Sequence, residues 1–159
     1  MTNSYLTELG VIHGDMKPGN ILIFPSSTET LIPKLIDFGY SSMALLRDDK
    51  LAIGCTWGWA APEWTGRLFT LLEAKKMDVY SFGLVCLLVT FGDRFSAEMR
   101  SDYHCHDSLL QAIARAIDAE LGAFPEQARQ VAHFFTSALS EDPEQRGDIA
   151  ELLESISQA

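Results

Sequence analysis

A mainly α fold with one short β hairpin is what this sequence predicts, and three observations carry that expectation. Val131, Phe134, Phe135, Ala138 and Leu139 form one apolar stripe at helical spacing, and Ile149, Leu152, Leu153 and Ile156 form a second. The apolar run from Phe82 to Phe91 is flanked by Asp78 and Asp93 and reads as a buried core helix. Only one pair of adjacent β-prone runs occurs, Ile21-Leu22-Ile23-Phe24 and Leu35-Ile36, separated by the turn-rich Pro25-Ser26-Ser27-Thr28-Glu29-Thr30.

Taken in order, residues 21–36 give the hairpin. Residues 37–63 show no periodicity and read as an irregular segment. From there the chain turns helical, with a helix start at Asp78 and an amphipathic segment over 108–121. Asp148-Ile149-Ala150-Glu151 has the pattern of a capping box, with Asp148 as N-cap of the last helix. About five or six helices are expected. No internal repeat, low-complexity tract or interdomain linker interrupts the 159 residues, which suit one domain.

Apolar residues make up 47% of the chain, enough for a packed core. The formal charge of −10 argues against a nucleic-acid surface or an anionic membrane as partner. It is compatible with basic protein substrates, and equally with a solvated acidic face. Cys55, Cys86 and Cys105 have no framework spacing, which suits free thiols in a reducing compartment, cytoplasmic or nuclear. No basic-then-apolar leader opens the chain, and no apolar run approaches the ~20 residues that span a bilayer. Tyr103-His104-Cys105-His106-Asp107 crowds possible metal ligands too closely for one centre, since zinc sites space them two to five apart, and reads as a surface loop.

The chemistry concentrates in His13-Gly14-Asp15-Met16-Lys17-Pro18-Gly19-Asn20 and in Asp37-Phe38-Gly39, seventeen residues after Asn20. Asp15, Lys17, Asn20 and Asp37 supply a carboxylate, a cation, an amide and a second carboxylate. Phosphoryl transfer from ATP asks a protein for that set: a group to orient the hydroxyl and take its proton, a cation for the γ-phosphate, and oxygen ligands for Mg²⁺. Asp15 has the ordinary pKa of an aspartate to start from, so its main task would be orientation, with the proton taken late.

Further landmarks follow in order: Ala61-Pro62-Glu63, Asp78-Val79-Tyr80-Ser81-Phe82-Gly83 and Asp142-Pro143-Glu144-Gln145-Arg146. Together the five motifs resemble the large, C-terminal lobe of a eukaryotic-type serine/threonine protein kinase, with H-G-D in place of H-R-D. The resemblance implies a kinase-like large lobe, with a catalytic loop at 13–20, a magnesium loop at 37–39, an activation segment at 37–63 and a helical subdomain at 64–159. It implies ATP and Mg²⁺ as cofactors and a protein serine or threonine hydroxyl as acceptor. Asp15 and Lys17 would be catalytic, and Asn20 and Asp37 would hold the metal and nucleotide. D-x-K-x-x-N is the serine/threonine pattern. His13 would be scaffold. Thr56 would bond Asp15 and Lys17, Asp78 would hold the catalytic-loop backbone, and Glu63 and Arg146 would form a buried ion pair.

The family's small β lobe carries a Gly-rich loop and a nucleotide-gripping lysine, and neither is found among residues 1–12. Tyr5 to Ile12 resemble the last turn of the helix that leads into the catalytic loop. The implied picture is a truncated kinase domain, inactive alone and in need of its N-terminal lobe, with an apolar groove open over the 78–91 helix. Gly14 departs from the family's arginine, which reads a phosphate on the activation loop. Ser41 and Ser42 are therefore expected to be ordinary loop serines. Two alternatives stay open: a non-catalytic pseudokinase or binding fragment, and a small-molecule phosphotransferase, which also carries H-G-D but lacks the segment ending in Ala61-Pro62-Glu63.

Overall fold

The computed structural model describes residues 10–26, 30–44, 46, 49–92 and 106–157. A long helix, α1 (Leu71–Phe91), is followed by α2 (His106–Leu121), α3 (Pro125–Ala138) and α4 (Ile149–Ser157), and α3 packs against each of the other three. Three two-stranded antiparallel ladders lie around this bundle, pairing β1 (Val11–Ile12) with β4 (Ser42–Met43), β2 (Ile21–Pro25) with β3 (Leu31–Leu35), and β5 (Lys50–Ala52) with β6 (Leu68–Thr70). The expected mainly α fold is present. The hairpin is β2–β3, in register from Ile21 opposite Leu35 to Pro25 opposite Leu31.

Four α-helices are seen among the described residues, where five or six were expected, and two further small ladders join the hairpin. β1, β4, β5 and β6 are two or three residues long, too short to show an alternating pattern. Of the stretch from Tyr5 to Ile12, expected as a helix end, Val11–Ile12 is a strand paired to Ser42–Met43, and residues 5–9 lie outside the described part. His106 and Asp107, expected in a loop, open α2, while residues 103–105 lie outside.

α1 starts earlier than expected. Its N-cap is Thr70, whose hydroxyl accepts from Glu73 N (3.2 Å) while the Glu73 carboxylate accepts from Thr70 N (2.7 Å), a complete capping box. Asp78 is therefore two turns inside the helix rather than at its start. Buried Met77, Val79, Tyr80, Leu84, Leu87 and Phe91 spread around α1, as befits a helix enclosed on most sides. The two predicted stripes point inward: Phe134, Phe135, Ala138, Leu139, Ile149 and Leu152 are buried, with Val131, Leu153 and Ile156 packed on them. Asp148 caps α4 by accepting from Ala150 N at 2.8 Å.

Between α1, α3, α4 and the hairpin runs an apolar groove of about 340 Å³, lined by Phe82, Val85, Val89, Val131, Phe134 and Ile156 among others. Val89 on its rim is 79% exposed. No helix of the described residues is long and apolar enough to cross a membrane.

Candidate active site

The loop after β1 is held from below by α1. The Asp78 carboxylate accepts from His13 N at 2.7 Å and from Gly14 N at 3.0 Å, one donor on each oxygen. Full burial pushes the Asp78 carboxyl up, against the pull of those two N–H groups. His13, fully buried, completes the floor. Its Nδ1 accepts from Asp15 N (3.3 Å), which leaves Nε2 to donate to the Ile36 carbonyl (3.1 Å).

On this floor the Asp15 carboxylate collects three side-chain donors. Lys17 Nζ lies 2.7 Å from Oδ2, Asn20 Nδ2 2.9 Å from the same oxygen, and Thr56 Oγ1 2.5 Å from Oδ1. Lys17 also donates to Thr56 Oγ1 at 2.9 Å, and Asn20 Nδ2 to the Asp15 carbonyl at 2.8 Å. Burial raises the Asp15 pKa, but the hydrogen bonds from Lys17, Thr56 and Asn20 and the lysine charge outweigh it and hold the group below its ordinary value. A carboxylate so held is a fixed acceptor and a weak base.

Asp37 stands apart from this cluster. It is exposed, adopts a left-handed backbone (φ 60°) and accepts from Gly39 N at 3.2 Å, capping the short 3-10 turn Phe38–Tyr40. Its neighbours tie it to the loop: Ile36 N donates to Asn20 O at 2.9 Å, and the Phe38 ring tilts against His13 at 5.2 Å between centroids. Both side-chain bonds of Asn20 use its nitrogen, which leaves Oδ1, and Asp37 offers carboxylate oxygens. That donor pair suits a hard cation such as Mg²⁺. Among the described residues no cluster of three or more His, Cys, Asp or Glu could hold a metal by itself.

Glu63 and Arg146 meet as a bidentate pair, Nη1 to Oε1 at 2.6 Å and Nη2 to Oε2 at 2.9 Å. This pair fastens the irregular 53–64 segment to the bundle. Beneath that segment, between Asp15, Thr56, Trp59, Asp78 and Ser81, is a cavity of about 20 Å³, room for one water molecule.

Ser41 and Ser42 are not simple loop serines. Ser41 Oγ donates to His13 O at 3.0 Å, and Ser42, in β4, donates to Ala52 O at 2.8 Å. Cys55, read from the sequence only as a free thiol, has that thiol pushed up by burial and by the Asp15 charge, and sequence reasoning missed Tyr40, which packs on Gly54. A glycine two residues before Thr56 was the available signal for that contact.

Residues 3–156 match the protein kinase domain family. The chain belongs to that family. A G-type lectin S-receptor-like serine/threonine-protein kinase of Arabidopsis thaliana is 37% identical over 95 residues, which are 57% of this chain and 10% of the relative. Roco7, a Dictyostelium discoideum protein named as a probable serine/threonine-protein kinase, is 27% identical over 151 residues, 92% of this chain and 5% of the relative. The rice lectin receptor-like serine/threonine kinase LECRK1 is 37% identical over 79 residues, 48% of this chain and 9% of the relative. The chain thus spans a tenth or less of the length of these kinases, and within the family it resembles the serine/threonine type.

Proposed function

We propose that this kinase-family chain carries the phosphoryl-transfer site of a serine/threonine protein kinase, moving the γ-phosphoryl group of ATP to protein hydroxyls. The observation that supports it most is the triply held Asp15 carboxylate. Its fixed oxygens orient an incoming serine or threonine hydroxyl in line with the phosphorus and take its proton late, after most of the bond to the leaving oxygen has broken. Lys17, 27% exposed beside it, places its ammonium where the transferred group gains charge. Asn20 and Asp37 would hold Mg²⁺, which would neutralise charge on the phosphate oxygens. Asp78 and His13 keep the loop backbone in place, Thr56 ties the acceptor side to Asp15, and Glu63–Arg146 anchors the segment between them.

Nucleotide binding is the weak point of the chain alone. Leu22, Ile23, Phe24, Leu31 and Ile32 of the hairpin are 41–70% exposed, so these apolar side chains stand open to solvent. A purine laid there is buried on one side only. We therefore propose that the site works with a small β lobe closing over it, and that the 159-residue chain by itself neither binds Mg-ATP tightly nor phosphorylates protein. A reducing compartment, cytoplasmic or nuclear, suits the free thiols Cys55 and Cys86.

Two measurements test this reading. Phosphoamino-acid analysis of substrate treated with a version bearing the small lobe is expected to give phosphoserine or phosphothreonine, and Asp37→Ala is expected to abolish it. Labelling on tyrosine, or full activity of Asp37→Ala, overturns the assignment. Calorimetric titration of the 159-residue chain with Mg-ATP is expected to show no micromolar binding. A micromolar Kd would show that the chain holds a self-sufficient nucleotide site.

A further inference from the structure

Three segments meet at the site: the 13–20 loop, the Asp37 turn and the stretch from β5 to Thr56. Tyr40 touches all three. It ends the 3-10 turn capped by Asp37, and the next residue, Ser41, bonds back to Phe38 O (3.0 Å) and through its hydroxyl to His13 O. The Tyr40 carbonyl lies so close to Gly14 that a Cβ there would sit 2.7 Å away. Its side chain lies on Gly54, where an added Cβ would come within 2.5–2.7 Å of Tyr40 Cδ1, Cγ and Cβ. Gly54 is two residues from Thr56, which bonds Asp15.

We infer that Tyr40 is a positioning residue, seated between Gly14 and Gly54, whose packing sets the Asp37 turn against the Asp15 loop beside the hydrogen bonds that Ser41 and Ile36 make to that loop. The inference rests on the kinase reading above. It explains the glycine at position 14: the backbone there approaches Tyr40 too closely for a side chain, at φ +74°. Gly54 gives the cleaner test, because its backbone needs no positive φ and an alanine adds only the clash. The crowded atoms include Tyr40 Cβ, so turning the ring outward does not relieve it. The backbone of the turn has to move, and misplacement of about 1 Å in such a site costs on the order of a hundredfold in rate.

The experiment compares wild type, Gly54→Ala, Tyr40→Ala and Tyr40→Phe. Hydrogen exchange of the Ser41 amide, read on the 159-residue chain, is expected to quicken about tenfold or more in Gly54→Ala and Tyr40→Ala and to stay at the wild-type rate in Tyr40→Phe, which keeps the ring and Cβ. In a version bearing the small lobe, the same two variants are expected to need several-fold more Mg²⁺ for half-maximal transfer, with the KM for protein substrate little changed, and Tyr40→Phe to restore the wild-type requirement. Wild-type exchange in Gly54→Ala and Tyr40→Ala overturns the proposal. So does a Mg²⁺ requirement unmoved by either variant. Because exchange is read without catalysis, an inactive wild type sinks the kinase reading and leaves the exchange result to decide on Tyr40.

Discussion

Replacing Arg146 by methionine tests how the segment beside the site is fastened. Arg146 is 1% exposed and donates to both Glu63 oxygens, to Ser140 O at 2.8 Å, to Lys76 O at 3.0 Å and to Glu141 O at 3.4 Å, with its guanidinium 4.8 Å over the Tyr80 ring. The Lys76 ammonium in turn donates to the Arg146 carbonyl. Methionine fills the space of the stem, so a cavity adds little to the loss. What remains is a carboxylate without its cation and three main-chain carbonyls without that donor. Breaking a buried pair costs about 3–5 kcal/mol. The Glu63 side chain is 21% exposed and can recover some hydration, so the lower end, about 3 kcal/mol, is expected. With a urea slope of about 1–3 kcal/mol per molar, the unfolding midpoint falls by at least ~1 M at unchanged slope. Glu63→Leu combined with Arg146→Met leaves no unpaired charge and is expected to recover more than about 1 kcal/mol relative to Arg146→Met. A midpoint shift below about 0.3 M for the single variant, or strict additivity in the double, would refute the view of the pair as the anchor of this segment.

Asp78→Asn turns an NH₂ toward one of two backbone N–H groups. It is expected to cost about 2 kcal/mol and lower Tm by roughly 4–8 °C, read by calorimetry; an unchanged Tm would remove Asp78 as the support of the 13–20 loop. Arg67 and the Thr70 backbone and hydroxyl hold the Glu73 carboxyl at about 2, below its ordinary 4.5. The folded pKa is the depressed one, so its stabilisation is present above about 4.5 and fades as the pH falls toward 2. The stability gap between wild type and Glu73→Gln is therefore expected to shrink over that window, and a constant gap in acid urea titrations would contradict the cap. Loss of hydration pushes the half-buried Cys86 thiol up to about 12, so in the native chain it is expected to resist iodoacetamide at pH 8; rapid labelling seen by peptide mass mapping would contradict the raised pKa.

Much of this was legible in the sequence because helices announce themselves locally. The stripes at 131–139 and 149–156 need only a 3.6-residue period, and Asp148 needs only Glu151 three residues on. The start of α1 was equally readable: Thr70-Leu71-Leu72-Glu73 is a capping box, overlooked beside the more conspicuous Asp78. β1 and β4 were not readable, since a two-residue strand exists only through its partner, here about thirty positions along the chain. At the site, residue identity and spacing named Asp15, Lys17 and Asn20, the kinase resemblance added Thr56, and the structure joins the four by hydrogen bonds. Spacing could not tell that Asn20 turns its nitrogen to Asp15, or that Asp37 stands outside that cluster. The Tyr40 seat depends on two glycines forty residues apart, and no local pattern encodes a contact made by absent side chains.

The central claim is that the held Asp15 carboxylate orients the acceptor hydroxyl for transfer. The most direct measurement is the rate of γ-phosphoryl transfer from ATP to a serine peptide, wild type against Asp15→Asn, in a version bearing the small lobe, with Mg-ATP affinity measured alongside. Wild type is expected to transfer, and Asp15→Asn to fall by about 10²–10⁴ in rate while Mg-ATP affinity stays within a few-fold. Transfer by Asp15→Asn within tenfold of wild type, or a wild type that binds Mg-ATP and peptide yet moves no phosphate, would contradict it.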